Sequence, residues 1–170
     1  MKGGETLWFL GTLARMKLDG DQTGGRFALW EAEAPHGASP PLHSHPQDET
    51  FFILEGELTV WVVDEADIDP AVDGQPPRWV ATHARRCGVG SVMYAPGGVP
   101  HTFRVESDTA RMVVVSTPAG IEDLVRGLGE PAHFPWLPAP PDGPRVAPET
   151  RVAVERSTGM VTHGPPAPPA

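Results

Sequence analysis

The chain has 170 residues, 39% hydrophobic and 21% charged, with 19 glycines, 21 prolines and a formal net charge of −9. Glycine and proline at this level interrupt helix interiors and disfavour a helical bundle, and an acidic domain without a basic stripe argues against a nucleic-acid partner. The lone Cys87 excludes an internal disulfide framework and any cysteine-based zinc cluster.

In chain order, residues 6–18 read as one or two strands bent at Gly11. The turn cluster at 19–25 follows, then a strand at 26–33 containing Phe27, Leu29 and Trp30, then a loop from Pro35 to Pro41. Residues 50–63 form a hairpin turning at 54–57, with Leu58, Val60 and Val62 on one face. The acidic, proline-containing stretch 64–77 reads as a solvated surface insertion, since the spaced ligands of a calcium loop are missing. Further strands are expected at 79–82, 91–95, 102–105 and 111–116, a spacing that indicates a sandwich or barrel. One helix is expected at 120–129. Ile121, Leu124, Val125 and Leu128 fall on one face and Gly129 and Pro131 stop it, so it should pack on the outside of the barrel.

Eleven of the prolines lie in residues 131–170, where three acidic and three basic residues cancel. The expected organisation is therefore a barrel domain at 1–130 and a proline-rich extended arm or tail at 131–170. No run is apolar enough to span a bilayer. The apolar stretch near the N-terminus has Glu5 ahead of it, contains Gly11 and Thr12 and lacks a small-x-small cleavage site. The expectation is a cytoplasmic protein without membrane contact.

The chemistry concentrates in His43, His45, Glu49 and His101. On an extended segment His43 and His45 point to the same side, and a turn containing Pro46 can return Glu49 to it. His101 comes from far downstream after the Pro96–Pro100 turn. Three imidazoles and one carboxylate suit one divalent first-row transition metal, and an incomplete shell leaves room for substrate. By strand parity with Glu49 and His101, Phe51, Ile53, Phe103 and Val105 are candidates for a substrate-binding wall. Met93 joins them, although parity is lost across the turn before His101. His36, His83, His133 and His163 have no matching partners and read as surface residues.

Two frames raise the signal of these residues: Gly37-x5-His43-x-His45-x3-Glu49-x6-Gly56 and Gly90-x5-Pro96-x-Gly98-x2-His101. They resemble the two signature boxes of the cupin superfamily. The run from Pro40 to Gly56, and Ser116 to Glu122 at the barrel exit, are similar to single-domain quercetin 2,3-dioxygenases. The resemblance implies an all-β fold, an antiparallel jelly-roll β-barrel with a short C-terminal helix and the proline-rich tail. It also implies His43, His45, Glu49 and His101 as metal ligands, with nickel, cobalt, manganese or iron as occupants and zinc or copper as further options. Val105 stands where the family's second box often has an asparagine, a position that does not ligate the metal.

At the level of activity, the resemblance implies a metal-dependent dioxygenase acting on a flavonol or related aromatic enol and O2. Glu49 would be both ligand and general base, and the ring would open with loss of carbon monoxide. Two alternatives stay open: a non-redox isomerase, cyclase or decarboxylase on a polyketide-like or sugar-like substrate, and a non-catalytic small-ligand-binding barrel. A homodimer is expected.

Overall fold

Alternating burial along short strands builds most of the chain. The computed structural model describes residues 4–63, 68–69, 78–79, 84–134, 136–137 and 146–166. In chain order the elements are β1 (Thr6–Phe9), β2 (Thr12–Leu18), α1 (Gly20–Thr23), β3 (Ala28–Pro35), β4 (Pro41–Ser44), β5 (Asp48–Glu55), β6 (Leu58–Val62), β7 (Ile68–Asp69), β8 (Arg78–Trp79), β9 (Ala84–Cys87), β10 (Val92–Ala95), β11 (His101–Val105), β12 (Thr109–Thr117), α2 (Glu122–Leu128), β13 (Glu130–Pro131), α3 (Pro148–Thr158) and β14 (Val161–Pro166). Most of the acidic stretch 64–77, most of the strand expected at 79–82, and His83 lie outside the described residues.

Two antiparallel sheets face each other in a jelly roll. One runs β10-β5-β12-β3-β2-β1-β13 and the other β14-β4-β11-β6-β9, with β7 and β8 pairing separately. In β12 the period-two pattern is plain: Ala110, Met112, Val114 and Ser116 are buried and the residues between them are not. Ile53, Leu58, Val105 and Met112 are fully buried in the core between the sheets. Apolar side chains removed from water on that scale are the main stabilising term of the fold, at about 1.5–3 kcal/mol each.

The segment around Gly11 is a tight hairpin. Phe9 pairs with Thr12, and the two residues between them, Leu10 and Gly11, both have positive φ, 48° and 80°. That is the backbone of a type I′ turn, whose twist matches the flanking strands.

The structure adds to the sequence reading in three places. The turn cluster after β2 contains α1, started by a capping box in which Asp19 accepts from the Gln22 backbone and the Gln22 side chain accepts from Asp19 N. A strand, β9, pairs with β6. Within the proline-rich arm, α3 begins with Pro148 and ends at Gly159 in the left-handed conformation, and β14 then pairs with β4. The arm docks on the strand that carries His43: Thr162 lies opposite His43, and Ser44 Oγ and the exposed His163 Nε2 are 2.8 Å apart.

Candidate metal centre

The histidines and the carboxylate come from opposite sheets. β4 brings His43, with His45 immediately after it, and β11 opens with His101, which pairs directly with His43. Glu49 is the second residue of β5 in the other sheet, opposite Ser116 of β12. The loop between the sheets lets four side chains converge at one end of the barrel. One ligand atom from each of His43, His45, Glu49 and His101 lies within 4.8 Å of the others. Glu49 Oε2 is 3.3 Å from His45 Nε2 and 3.2 Å from His101 Nε2. His45, Glu49 and His101 are buried.

Backbone carbonyls orient two of the rings. His43 Nδ1 is 2.8 Å from the Pro41 oxygen and His101 Nδ1 is 2.9 Å from the Val99 oxygen. A carbonyl only accepts, so both Nδ1 atoms carry the proton and both Nε2 atoms turn inward: that of His43, neutral, offers its lone pair to the cluster, and that of His101 meets the Glu49 carboxylate. This is the support that metal-ligating histidines receive. His45 Nδ1 is buried without a hydrogen-bond partner among the described residues. The donor set of three imidazoles and one carboxylate fits a divalent first-row metal.

The electrostatics favour the ligand-ready forms of His43 and Glu49. Burial, reinforced by the charge of His101, pushes His43 down to about 4, which keeps it neutral at pH 7. Burial acts to raise Glu49, but hydrogen bonds from His101 and His45 outweigh it and hold the carboxylate well below its usual range. Burial acts to lower His101, and its hydrogen bond to Glu49 and that group's charge overcome it, so His101 is raised.

The two boxes are stitched together behind the ligands. Gly97 N donates to Asp48 Oδ1 at 2.7 Å, and Gly98 N donates to the His45 oxygen at 2.7 Å. A Cβ at Gly97 would sit 2.3 Å from the Pro46 oxygen, so only glycine permits this approach. Asp48 is a positioning residue that the sequence reading does not single out; its signal there is only adjacency to Glu49.

A cavity of about 100 Å³ opens on the cluster, and its wall is almost wholly apolar. Of the five candidate wall residues, Phe51 and Phe103 line it, with their rings edge to face at 5.9 Å. Ile53, Met93 and Val105 are packed in the core instead. Much of the remaining wall comes from outside the boxes, including the β1–β2 hairpin tip, Met160 after α3, and Ile121, Leu124 and Val125 of the α2 segment. The apolar face of α2 therefore turns into the cavity, a correction to the expected packing on the outside of the barrel. No lysine or arginine lines the cavity among the described residues.

A cupin-domain family model matches residues 30–69, a segment that includes the first box. Over 124 residues the chain is 29% identical to quercetin 2,3-dioxygenase of Bacillus subtilis strain 168, covering 72% of this chain and 32% of that protein. The chain carries a cupin domain and resembles quercetinases. This cupin is also 32% identical over 77 residues to dimethylsulfoniopropionate lyase DddQ of Ruegeria pomeroyi, covering 45% of this chain and 30% of that protein. It spans about a third of the length of the curated relatives it matches. Among solved structures, oxalate decarboxylase from Bacillus subtilis superimposes with a TM-score of 0.53 at 20% identity, covering 68% of this chain and 27% of that one. That likeness shows the fold.

Proposed function

We propose that this cupin is a metal-dependent dioxygenase that opens a flavonol or related aromatic enol with loss of carbon monoxide. Both atoms of O2 enter the ring-opened product. The observation that carries the reading is an apolar cavity, with no lysine or arginine among its described lining residues, ending on three histidines and a glutamate. Similarity to a quercetin 2,3-dioxygenase over most of the chain supports it.

Nickel, cobalt, manganese or iron, held by His43, His45, Glu49 and His101, would supply Lewis acidity at the enol oxygen and the redox chemistry that O2 requires. The protein does the rest. Glu49, kept proton-free at neutral pH, accepts the enol proton at its carboxylate. His45 and His101 stand on either side of that carboxylate and fix its place in the cluster. Phe51 and Phe103 orient the aromatic substrate, and the apolar wall keeps water from the activated carbon. The working unit is a cytoplasmic homodimer formed by sheet packing. Phe52, Val92 and Tyr94, exposed together on the outer face of β5 and β10, support that pairing.

The test is oxygen uptake with quercetin by protein loaded with each of the four metals. Uptake is expected, and it should be lost in Glu49→Gln. Turnover of an aromatic substrate without oxygen consumption would overturn the dioxygenase reading. It would favour a non-redox isomerase, cyclase or decarboxylase.

A further inference from the structure

Leu10 occupies a backbone conformation that leucine avoids. Type I′ turns take asparagine, aspartate or glycine, because a left-handed backbone crowds the Cβ of other residues. Leu10, with φ at 48°, accepts that strain, and its side chain gains little burial in return, being 37% exposed. It nevertheless lines the cavity that ends on the metal cluster and is the most exposed residue of that wall. The turn beneath it is held closed by Thr12 Oγ1, which donates to the Phe9 oxygen at 2.6 Å. A large apolar side chain is thus fixed where the cavity meets solvent.

The size of the cavity gives that position a consequence. An apolar cavity of roughly 150 Å³ takes up benzene, so about 100 Å³ is the scale of one aromatic ring. We infer that Leu10 sets the size limit of the ligand: a single-ring phenol fits behind it, and a three-ring flavonol enters only when its side chain is displaced. The inference rests on the proposed reading of this cavity as the substrate pocket.

The experiment uses the full chain loaded with redox-inert zinc, with catechol and quercetin as probes in anaerobic calorimetric titrations. Wild type is compared with Leu10→Gly and Leu10→Asn, both of which suit the turn, so the thermal midpoint should hold or rise and zinc affinity should not change. The quercetin-to-catechol affinity ratio is expected to rise about tenfold in both variants, the size of effect that pocket methylenes have on selection. An unchanged ratio, an equal loss of both ligands, or no quercetin binding by any form overturns the inference. Improved quercetin binding in the variants without oxygen uptake by the nickel-loaded protein would sink the dioxygenase reading alone. Oxygen uptake with an unchanged ratio would sink this inference alone.

Discussion

Burial by itself would raise Glu49, and the two imidazoles that face the same oxygen hold its carboxylate well below the usual range instead. His101 is the more consequential of the two. It contacts Glu49, pairs across strands with His43 and follows directly from the turn that joins the boxes. His101→Ala should therefore weaken metal binding by more than the 10- to 100-fold, roughly, that loss of an outer hydrogen-bond partner costs. Competition titration against a chelator measures this, and an unchanged affinity would remove His101 from the ligand set. Ile53 makes the contrasting case. It shares strand parity with Glu49 but lies fully buried in the core, so Ile53→Ala should cost about 2–5 kcal/mol in denaturant unfolding. Metal affinity of the folded variant should stay near the wild-type value.

At the scale of elements, α2 is held in place because its N-terminal end is tied to α1. The buried Glu122 carboxylate accepts from Gly20 N at 2.9 Å and Gly120 N at 2.6 Å. Arg126 bridges Glu5 and Asp19, each at 2.8 Å. Arg126, and then the capping bond from Gln22, hold the Asp19 carboxyl below the ordinary aspartate value of 3.8. A depressed carboxylate stabilises the fold above its unfolded value, and that contribution is lost as pH falls through the folded value. Asn can still cap α1 but cannot pair with Arg126. Asp19→Asn should thus lower the thermal midpoint at neutral pH, and the gap from wild type should close as the pH is taken below 3.8. A gap of constant size across that range would show that the charge contributes nothing.

Across the whole molecule, the C-terminal arm is part of the barrel rather than an appendage. α2 and α3 touch through Gly127, where an added Cβ would come within 2.8 Å of the Val154 side chain. Met160 then enters the cavity wall, and β14 extends the sheet next to His43. Gly127→Leu should push α3 away at a cost of about 1–3 kcal/mol. Hydrogen exchange should then quicken through residues 148–166 while β12 in the barrel centre keeps its protection. Uniform exchange in both regions would mean that the arm and barrel open together. The arm shows why local patterns carry only so far. Pro148 and Gly159 mark the ends of α3, but Val152 is 53% exposed and the helix has no apolar stripe strong enough to stand out between prolines.

The sequence by itself determined which side chains could share a face. Alternation with period two puts His43 beside His45 and turns Phe51 and Ile53 inward with Glu49, and a helical period aligns Ile121, Leu124 and Val125. Only the tertiary structure decided what each face meets: Phe51 the cavity but Ile53 the core, α2 the pocket rather than the outside, Leu10 and Met160 the wall beside ligands far away in sequence. Periodicity is a property of neighbouring residues along one element. The surroundings of a face depend on strand order and on how the two sheets and the arm close over it, contacts between residues whose separation no local pattern encodes.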